Sequence, residues 1–209
     1  MFNKNWLDGE EAKKRISQNK LRLMDELVDY WEKVTIRTLN KKKIKIINKE
    51  SNYLFDSFVE SKYTCLYTIK IPKSEIWEAD EKDRSIDFSI DYWKKFRIPD
   101  YNGMYEIEFK ISSGINSFLD CEIWILEYLY RNNVELFYKL FNGRDIYLFK
   151  ADRGTEVEYY QSLFFYENEL DYVKYIIKEV MDWILNRKEI KEILEGKRWI
   201  KGYIPPSPY

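Results

Sequence analysis

Three charged residues have the types and the spacing that metal-assisted hydrolysis needs. Asp100 follows a proline, and Glu108 and Lys110 stand two positions apart in a segment of alternating apolar and charged residues. Because side chains two apart on a strand share one face, Glu108 and Lys110 are predicted to lie side by side. Carboxylates bind Mg²⁺, and a bound metal can activate water as a nucleophile. These three residues are therefore the candidates for a catalytic role.

The same residues resemble a nuclease signature. Pro99-Asp100 and Glu108-Phe109-Lys110 match the PD-(D/E)xK pattern of a large superfamily of metal-dependent nucleases. The resemblance implies that Asp100 and Glu108 hold Mg²⁺ and that Lys110 helps to position or activate the attacking water. An Mg-dependent nuclease is the alternative interpretation of the function.

A predicted hairpin favours a structural role for the same residues. Asn102-Gly103 suits a two-residue type I′ turn because both residues tolerate positive φ. In that register Arg97 faces Glu108, and the ion pair accounts for the glutamate without catalysis. Asp100 and Glu108 would lie on opposite sides of the sheet, about 10 Å apart along the strand. This interpretation predicts no catalytic residues and no cofactor.

The composition narrows the chemistry further. The chain has no histidine, but it has 18 tyrosines, 12 phenylalanines and 7 tryptophans. Without imidazole there is no Ser-His or Cys-His nucleophile and no histidine-ligated metal. Aromatic side chains supply contact area and are common at interface hot spots. The composition therefore favours a binding protein over an enzyme.

The charges are unevenly distributed along the chain. Residues 1–50 contain 13 Lys/Arg against 8 Asp/Glu, whereas residues 75–91 contain seven acids against two basic residues. An acidic segment with aromatic residues suits a partner with a basic surface. The predicted partner-binding residues are Trp77, Asp80, Glu81, Asp83, Asp87, Asp91, Tyr92 and Trp93.

These observations predict a non-catalytic, cytoplasmic protein-binding module. An inhibitor or a toxin-neutralising immunity protein of bacterial or phage defence would use such a surface to block a basic partner. The sequence pI of about 5.8 argues against a nucleic-acid partner. The N-terminal residues lack an apolar signal core, and no apolar run is long enough for a membrane span.

The hydrophobic periodicity predicts an α+β fold. Residues 10–35 read as an amphipathic helix, with its core stripe at Ile16, Leu23, Met24, Leu27, Trp31 and Val34. Strands are predicted at 41–46, 64–71, 86–92, 105–111, 145–150 and 157–166. Further helices are predicted from a capping box at Ser117 to 141, and after a cap at Asn168.

This order of elements predicts a mostly antiparallel sheet of about six strands faced by three main helices. Residues 1–209 are expected to form a single α+β domain, with a short Pro-rich tail at 203–209.

Overall fold

The computed structural model describes residues 7–55, 59–69, 84–93, 102–113, 122–141, 147–150, 160–195 and 197. Within these ranges the chain has the predicted α+β fold, with helices packed on an antiparallel sheet. The strands are β1 (Leu7–Asp8), β2 (Ile46–Phe55), β3 (Val59–Ile69), β4 (Arg84–Trp93), β5 (Tyr105–Ser113), β6 (Glu122–Trp124), β7 (Tyr147–Lys150) and β8 (Tyr160–Phe165). The helices are α1 (Gly9–Arg15), α2 (Gln18–Lys41), α3 (Ile125–Asn132), α4 (Val134–Phe141), α5 (Leu170–Asn186) and α6 (Lys188–Leu194).

The sheet runs in the order β1-β2-β3-β4-β5-β8-β7, and β6 also pairs with β5. Every pairing is antiparallel. β5 pairs with β4 along one edge. Along its other edge it pairs with β8 near its start and with β6 further along, so β5 lies inside the sheet. The predicted strands at 64–71, 86–92, 105–111, 145–150 and 157–166 are confirmed within the described residues.

The apolar stripe of the first helical segment packs on the sheet, as predicted. Leu23, Met24, Leu27 and Trp31 are buried, and the Trp31 ring stacks on Phe88 of β4 with 4.9 Å between ring centroids. The segment is divided at Ile16 and Ser17 into α1 and α2. Burial of this stripe holds the helical layer against β4.

Helix α2 continues six residues beyond the predicted end, and the prediction of a strand at 41–46 was wrong. Thr35, Thr38 and Leu39 are buried and extend the helical stripe by more than a turn. The strand that follows begins only at Ile46. Local alternation of lysine and isoleucine predicts a strand, but burial of the longer stripe favours the helix.

The predicted hairpin register was also wrong. Tyr92 lies opposite Tyr105, and Glu108 lies opposite Ser89, so Glu108 has no cross-strand partner at Arg97. Gly103 has a positive φ of 78°, but β4 ends at Trp93 and β5 begins at Tyr105, so the paired strands are not joined by the predicted two-residue turn. The two registers differ by eight residues, an even number that leaves every side chain on the same face. Apolar alternation therefore cannot distinguish them.

The two faces of the sheet have different environments. Ile86, Phe88 and Ile90 of β4 and Ile107 and Phe109 of β5 are buried in one core with the helices. The alternate residues of β4 and β5 form the second, polar face. We call it the polar face of the sheet.

The C-terminal half contains both confirmed and unexpected elements. The predicted helix from Ser117 is replaced at residues 122–124 by β6, and α3 begins only at Ile125; Ser117 itself lies outside the described residues. The predicted stripe of α5 is buried at Val173, Ile177, Val180 and Ile184. Asn168 is not the N-cap of α5, because a short 3-10 turn (Glu167–Glu169) precedes that helix. Glu169 closes the start of this turn by accepting from the backbone N–H of Tyr166 at 2.6 Å.

Helices, β4, β5 and β8 share one hydrophobic core. The Pro-rich tail at 203–209 lies outside the described residues, so the single-domain organisation of the whole chain stays a prediction. Among the helices of the described ranges, none combines the length and the apolar character needed to cross a bilayer.

Candidate functional site

The structure describes part of the predicted site. Asp87, Asp91, Tyr92 and Trp93 lie on β4, and Glu108 and Lys110 lie on β5. The other candidates lie outside the described residues: Trp77, Asp80, Glu81, Asp83 and Asp100. The partner-binding prediction for the whole segment therefore stays a prediction.

Alternation along β4 separates the predicted contact residues. Asp87, Asp91 and Trp93 lie on the polar face of the sheet, and Tyr92 lies on the opposite face, with the core residues. Asp91 is only 8% exposed, and Asp87 is half-buried and accepts a hydrogen bond from Ser112 Oγ at 2.5 Å. Segment 84–93 thus contributes to two different surfaces.

The polar face carries four carboxylates, two on β4 and two on β5. We call them the carboxylate row: Asp87, Asp91, Glu106 and Glu108. Glu106 lies opposite Asp91, and Glu108 is two positions further along β5. Trp93 Nε1 donates to Glu106, and Ser162 Oγ donates to Glu108 at 3.2 Å. Antiparallel pairing of the polar positions of β4 and β5 brings these carboxylates together.

Burial changes the acidity of Glu106, which is 9% exposed. Desolvation and the charges of Glu108 and Asp91 raise its pKa to about 7, although hydrogen bonds from Ser162 and Trp93 act in the opposite direction. A carboxyl with a pKa near neutrality can take up and release a proton at physiological pH. Proton binding is the chemistry that this part of the row can perform.

Glu108 and Lys110 lie on one face of β5, as the nuclease resemblance requires. Lys110 is opposite Asp87, and its Nζ lies 5.1 Å from the ring centroid of Trp124. Within the part of the chain that the structure describes, no group of three carboxylate or thiol side chains is arranged to hold a metal ion. Asp100 is outside that part, so the three predicted catalytic residues cannot be placed together.

An open cleft of about 580 Å³ lies at the end of the sheet where β4 ends and β5 begins. We call it the tyrosine cleft. Its lining residues are Ser17, Asn19, Lys20, Tyr92, Gly103, Tyr105, Tyr166, Glu167 and Asn168.

The sheet topology assembles the tyrosine cleft from distant parts of the chain. Tyr92 pairs with Tyr105, and Tyr105 pairs with Phe165, so Tyr166 follows at the same end of the sheet. The rings of Tyr92 and Tyr105 are 4.8 Å apart, and Tyr105 stacks on Phe165 at 5.4 Å. Packed rings hold Tyr92 in place at the cleft, because aromatic pairs restrict each other's orientation.

Charged groups surround these tyrosines. Lys20 Nζ lies 3.8 Å from the centroid of the Tyr92 ring, a cation–π contact. Glu167 is exposed just before the start of α5, and Tyr166 beside it is 41% exposed. The cleft therefore combines aromatic surface with one cation, Lys20, and one exposed carboxylate, Glu167.

Only Tyr92 of this cleft was among the predicted partner-binding residues. Glu167 and Lys20 were missed because no short-range spacing connects them with Tyr92. Tyr166 belongs to the predicted strand at 157–166, which is the next candidate contact surface after segment 75–93. The sequence contains one usable signal: Tyr166 ends an apolar run immediately before a helix cap, where a large side chain tends to be exposed.

Comparisons with protein-family models, with curated proteins and with solved structures found no match to this chain.

Proposed function

We propose that this protein is a non-catalytic binding module that docks a basic protein partner on the tyrosine cleft. The observation that carries the proposal is the joining of Tyr92, a predicted contact residue, with exposed Tyr166 and Glu167 in one cleft. Concave surfaces lined by aromatic residues and a few polar groups are typical of binding sites.

Tyrosine suits this role because it offers a large, rigid contact area and a hydroxyl that can form hydrogen bonds. Ordering a tyrosine on binding costs little conformational entropy, since it has two side-chain torsions. Tyr92 is already ordered by Tyr105, whose ring is 4.8 Å away. A partner that buries these rings would therefore gain contact area without ordering a flexible loop.

The charges favour a basic partner. Lys20 rests on the Tyr92 ring, a contact that a lysine or arginine of the partner can replace. Glu167 adds an exposed negative charge at the cleft, and segment 75–91 supplies the acidic residues predicted to meet the partner. A lysine- or arginine-rich surface would be attracted over a distance of about 8 Å at physiological salt, which speeds association.

An inhibitor or an immunity-type protein of the cytoplasm fits this chemistry. Such a protein restrains an enzyme by occupying its cationic site, and it needs a stable surface rather than catalytic groups. The proposal assigns no cofactor to the chain, and Mg²⁺ belongs to the nuclease alternative.

Site-specific photocrosslinking in the native host tests the proposal. Benzoylphenylalanine at Tyr166 should crosslink a distinct basic protein, which mass spectrometry identifies. The same group at Tyr138, which is 51% exposed on α4, is the matched control and should not capture that protein. Glu167→Lys should reduce the crosslink and slow association with the purified partner.

Equal crosslinking from Tyr138 and Tyr166 would contradict the proposed site. Reversal of Asp80, Glu81 and Asp83 to lysine tests the rest of the predicted acidic segment. If that reversal alone slows association, the partner docks on segment 75–93 and not on the tyrosine cleft.

A further inference from the structure

A second cleft, of about 360 Å³, lies between α2 and α5. Its charged lining differs from that of the tyrosine cleft, and we call it the basic cleft. It includes Lys33, Arg37 and Lys41 of α2, and Lys178 and Asp182 of α5. Four cations and one carboxylate give this lining a net charge of +3. A volume of this size is within the range of small-molecule sites.

Three of these cations have no counter-ion among the described residues. Within the described residues, Lys33, Arg37 and Lys41 form no ion pair, and all three are exposed. Several lysines elsewhere on the helices are paired, as Lys174 is with Glu26 and Lys191 with Glu195. In the basic cleft, Asp182 and Glu179 pair with Lys178, whereas the three cations of α2 have no ion pair with a described residue.

This arrangement opposes the stability of α2. Lys33, Arg37 and Lys41 are spaced four residues apart, so each lies one turn from the next, and like charges at that spacing repel. The helix dipole favours a cation in the last turn, which accounts for Lys41. Lys33 and Arg37 precede that turn and receive no such benefit. An anion in the cleft would remove the repulsion.

We propose that the basic cleft binds a small molecule that carries two or three linked phosphate groups. Lysine and arginine are the usual phosphate-binding side chains, and arginine can bind two phosphate oxygens at once. Cations on successive turns rise about 6 Å from one to the next, so a chain of phosphates meets more of them than a single phosphate does. Tyr30 also lines the cleft and offers a ring on which a base can stack.

Calorimetry and thermal unfolding with sodium tripolyphosphate, ATP and AMP test this inference. Both triphosphates should bind and raise Tm, and AMP should bind about tenfold or more weakly. Equal affinity for tripolyphosphate and ATP would assign recognition to the phosphates alone. Tighter binding of ATP, lost in Tyr30→Leu, would assign it to a nucleoside triphosphate.

Variants connect this binding to the cleft. Lys33→Gln, Arg37→Gln and Lys41→Gln together should weaken triphosphate binding about tenfold or more while leaving Tm without ligand unchanged or higher. The matched control is Lys14→Gln, Arg15→Gln and Lys139→Gln, which removes the same charges from exposed positions outside the cleft and should retain binding.

Three results would overturn the inference: no binding of either triphosphate at about 50 mM salt, equal losses in both triple variants, or binding of an oligonucleotide but not of free triphosphates. The inference does not rest on the proposed protein partner. If the cleft variant loses triphosphate binding but keeps the Tyr166 crosslink, the two sites are independent.

Discussion

Burial and two neighbouring carboxylates control the acidity of Glu106. Asp91 lies opposite it and Glu108 follows on the same face of β5, so ionising Glu106 adds a charge to a desolvated acidic cluster. Its pKa rises from 4.5 to about 7. The folded protein therefore binds a proton more tightly at this position than the unfolded chain does.

We expect Glu106 to reduce stability as the pH rises. The stabilisation that protonated Glu106 gives to the folded state is fully present below about pH 4.5 and is lost as the pH rises through 7. The free energy of unfolding should fall by up to about 3 kcal/mol over this range. Glu106→Gln should keep the hydrogen bond from Trp93 and remove this pH dependence. Urea unfolding at pH 5 and pH 8 should show a variant that is more stable than wild type only at pH 8.

The pH dependence that arises from Glu127 must be measured separately from that of Glu106. Glu127 is fully buried, and desolvation raises its pKa to about 7 despite its ion pair with Arg131 at 2.7 Å. Both carboxyls therefore titrate in the same window, and Glu127→Gln should remove the remaining pH dependence. If Glu106→Gln follows the wild-type pH profile throughout, Glu106 is not a protonated buried acid.

At the scale of elements, α2 connects the helical layer to the sheet. Trp31 is 0% exposed and stacks on Phe88. Trp31→Ala should lower the free energy of unfolding by about 3 to 5 kcal/mol, because it removes buried surface and leaves a cavity. Denaturant melts measure the loss, and Trp31→Phe should recover part of it by restoring a ring. An unchanged midpoint in Trp31→Ala would contradict core packing of α2.

The C-terminus of α2 has an unusual residue in a common capping motif. Lys43 has φ of 60°, its N–H donates to Asn40 O at 3.0 Å, and Ile44 N–H donates to Leu39 O at 3.1 Å. This is the Schellman pattern, in which the left-handed position is usually glycine. A lysine there has an unfavourable contact between Cβ and the backbone.

Lys43→Gly should therefore stabilise the protein by about 0.5 to 1 kcal/mol, since relief of the left-handed strain exceeds the added entropy of the unfolded chain. Lys42→Gly is the matched control. Lys42 has φ of −84°, so glycine brings no relief there and should destabilise the helix end. Thermal unfolding of the two variants should shift Tm in opposite directions, and equal shifts would refute the strain.

At the scale of the whole molecule, two clefts that differ in charge lie toward opposite ends of α2, although the net charge of the chain is only −1. The tyrosine cleft includes Lys20 near the start of α2, and the basic cleft includes Arg37 near its end. Seventeen residues of helix separate them by about 25 Å, well beyond the screening length of about 8 Å. A basic partner at one end and a phosphate ligand at the other therefore would not compete by charge.

Local patterns predicted much of the fold because they reflect burial, which acts at every position. The helical spacing of the apolar stripe that contains Trp31 predicted a helix, and the alternation of apolar and polar residues from Tyr105 to Ile111 predicted a strand. Both elements are present. The same logic failed at residues 41–46, where the extended stripe ending at Thr38 and Leu39 outweighed a short alternation.

The sequence by itself determined the α+β class, the core faces of α2, α5, β4 and β5, and the exclusion of histidine chemistry, since these depend on residue types and local periods. Only the tertiary structure decided which residues meet. Shifting the pairing of β4 and β5 by an even number of residues keeps each side chain on its face of the sheet but gives it a different partner. The observed register pairs Glu106 with Asp91 and places Tyr92 beside Tyr105. Likewise, the packing of α5 against α2 places Lys178 in the basic cleft with Lys33. The pairing of β8 with β5 places Tyr166 at the tyrosine cleft. Such contacts join residues far apart in the chain, and no local pattern encodes them.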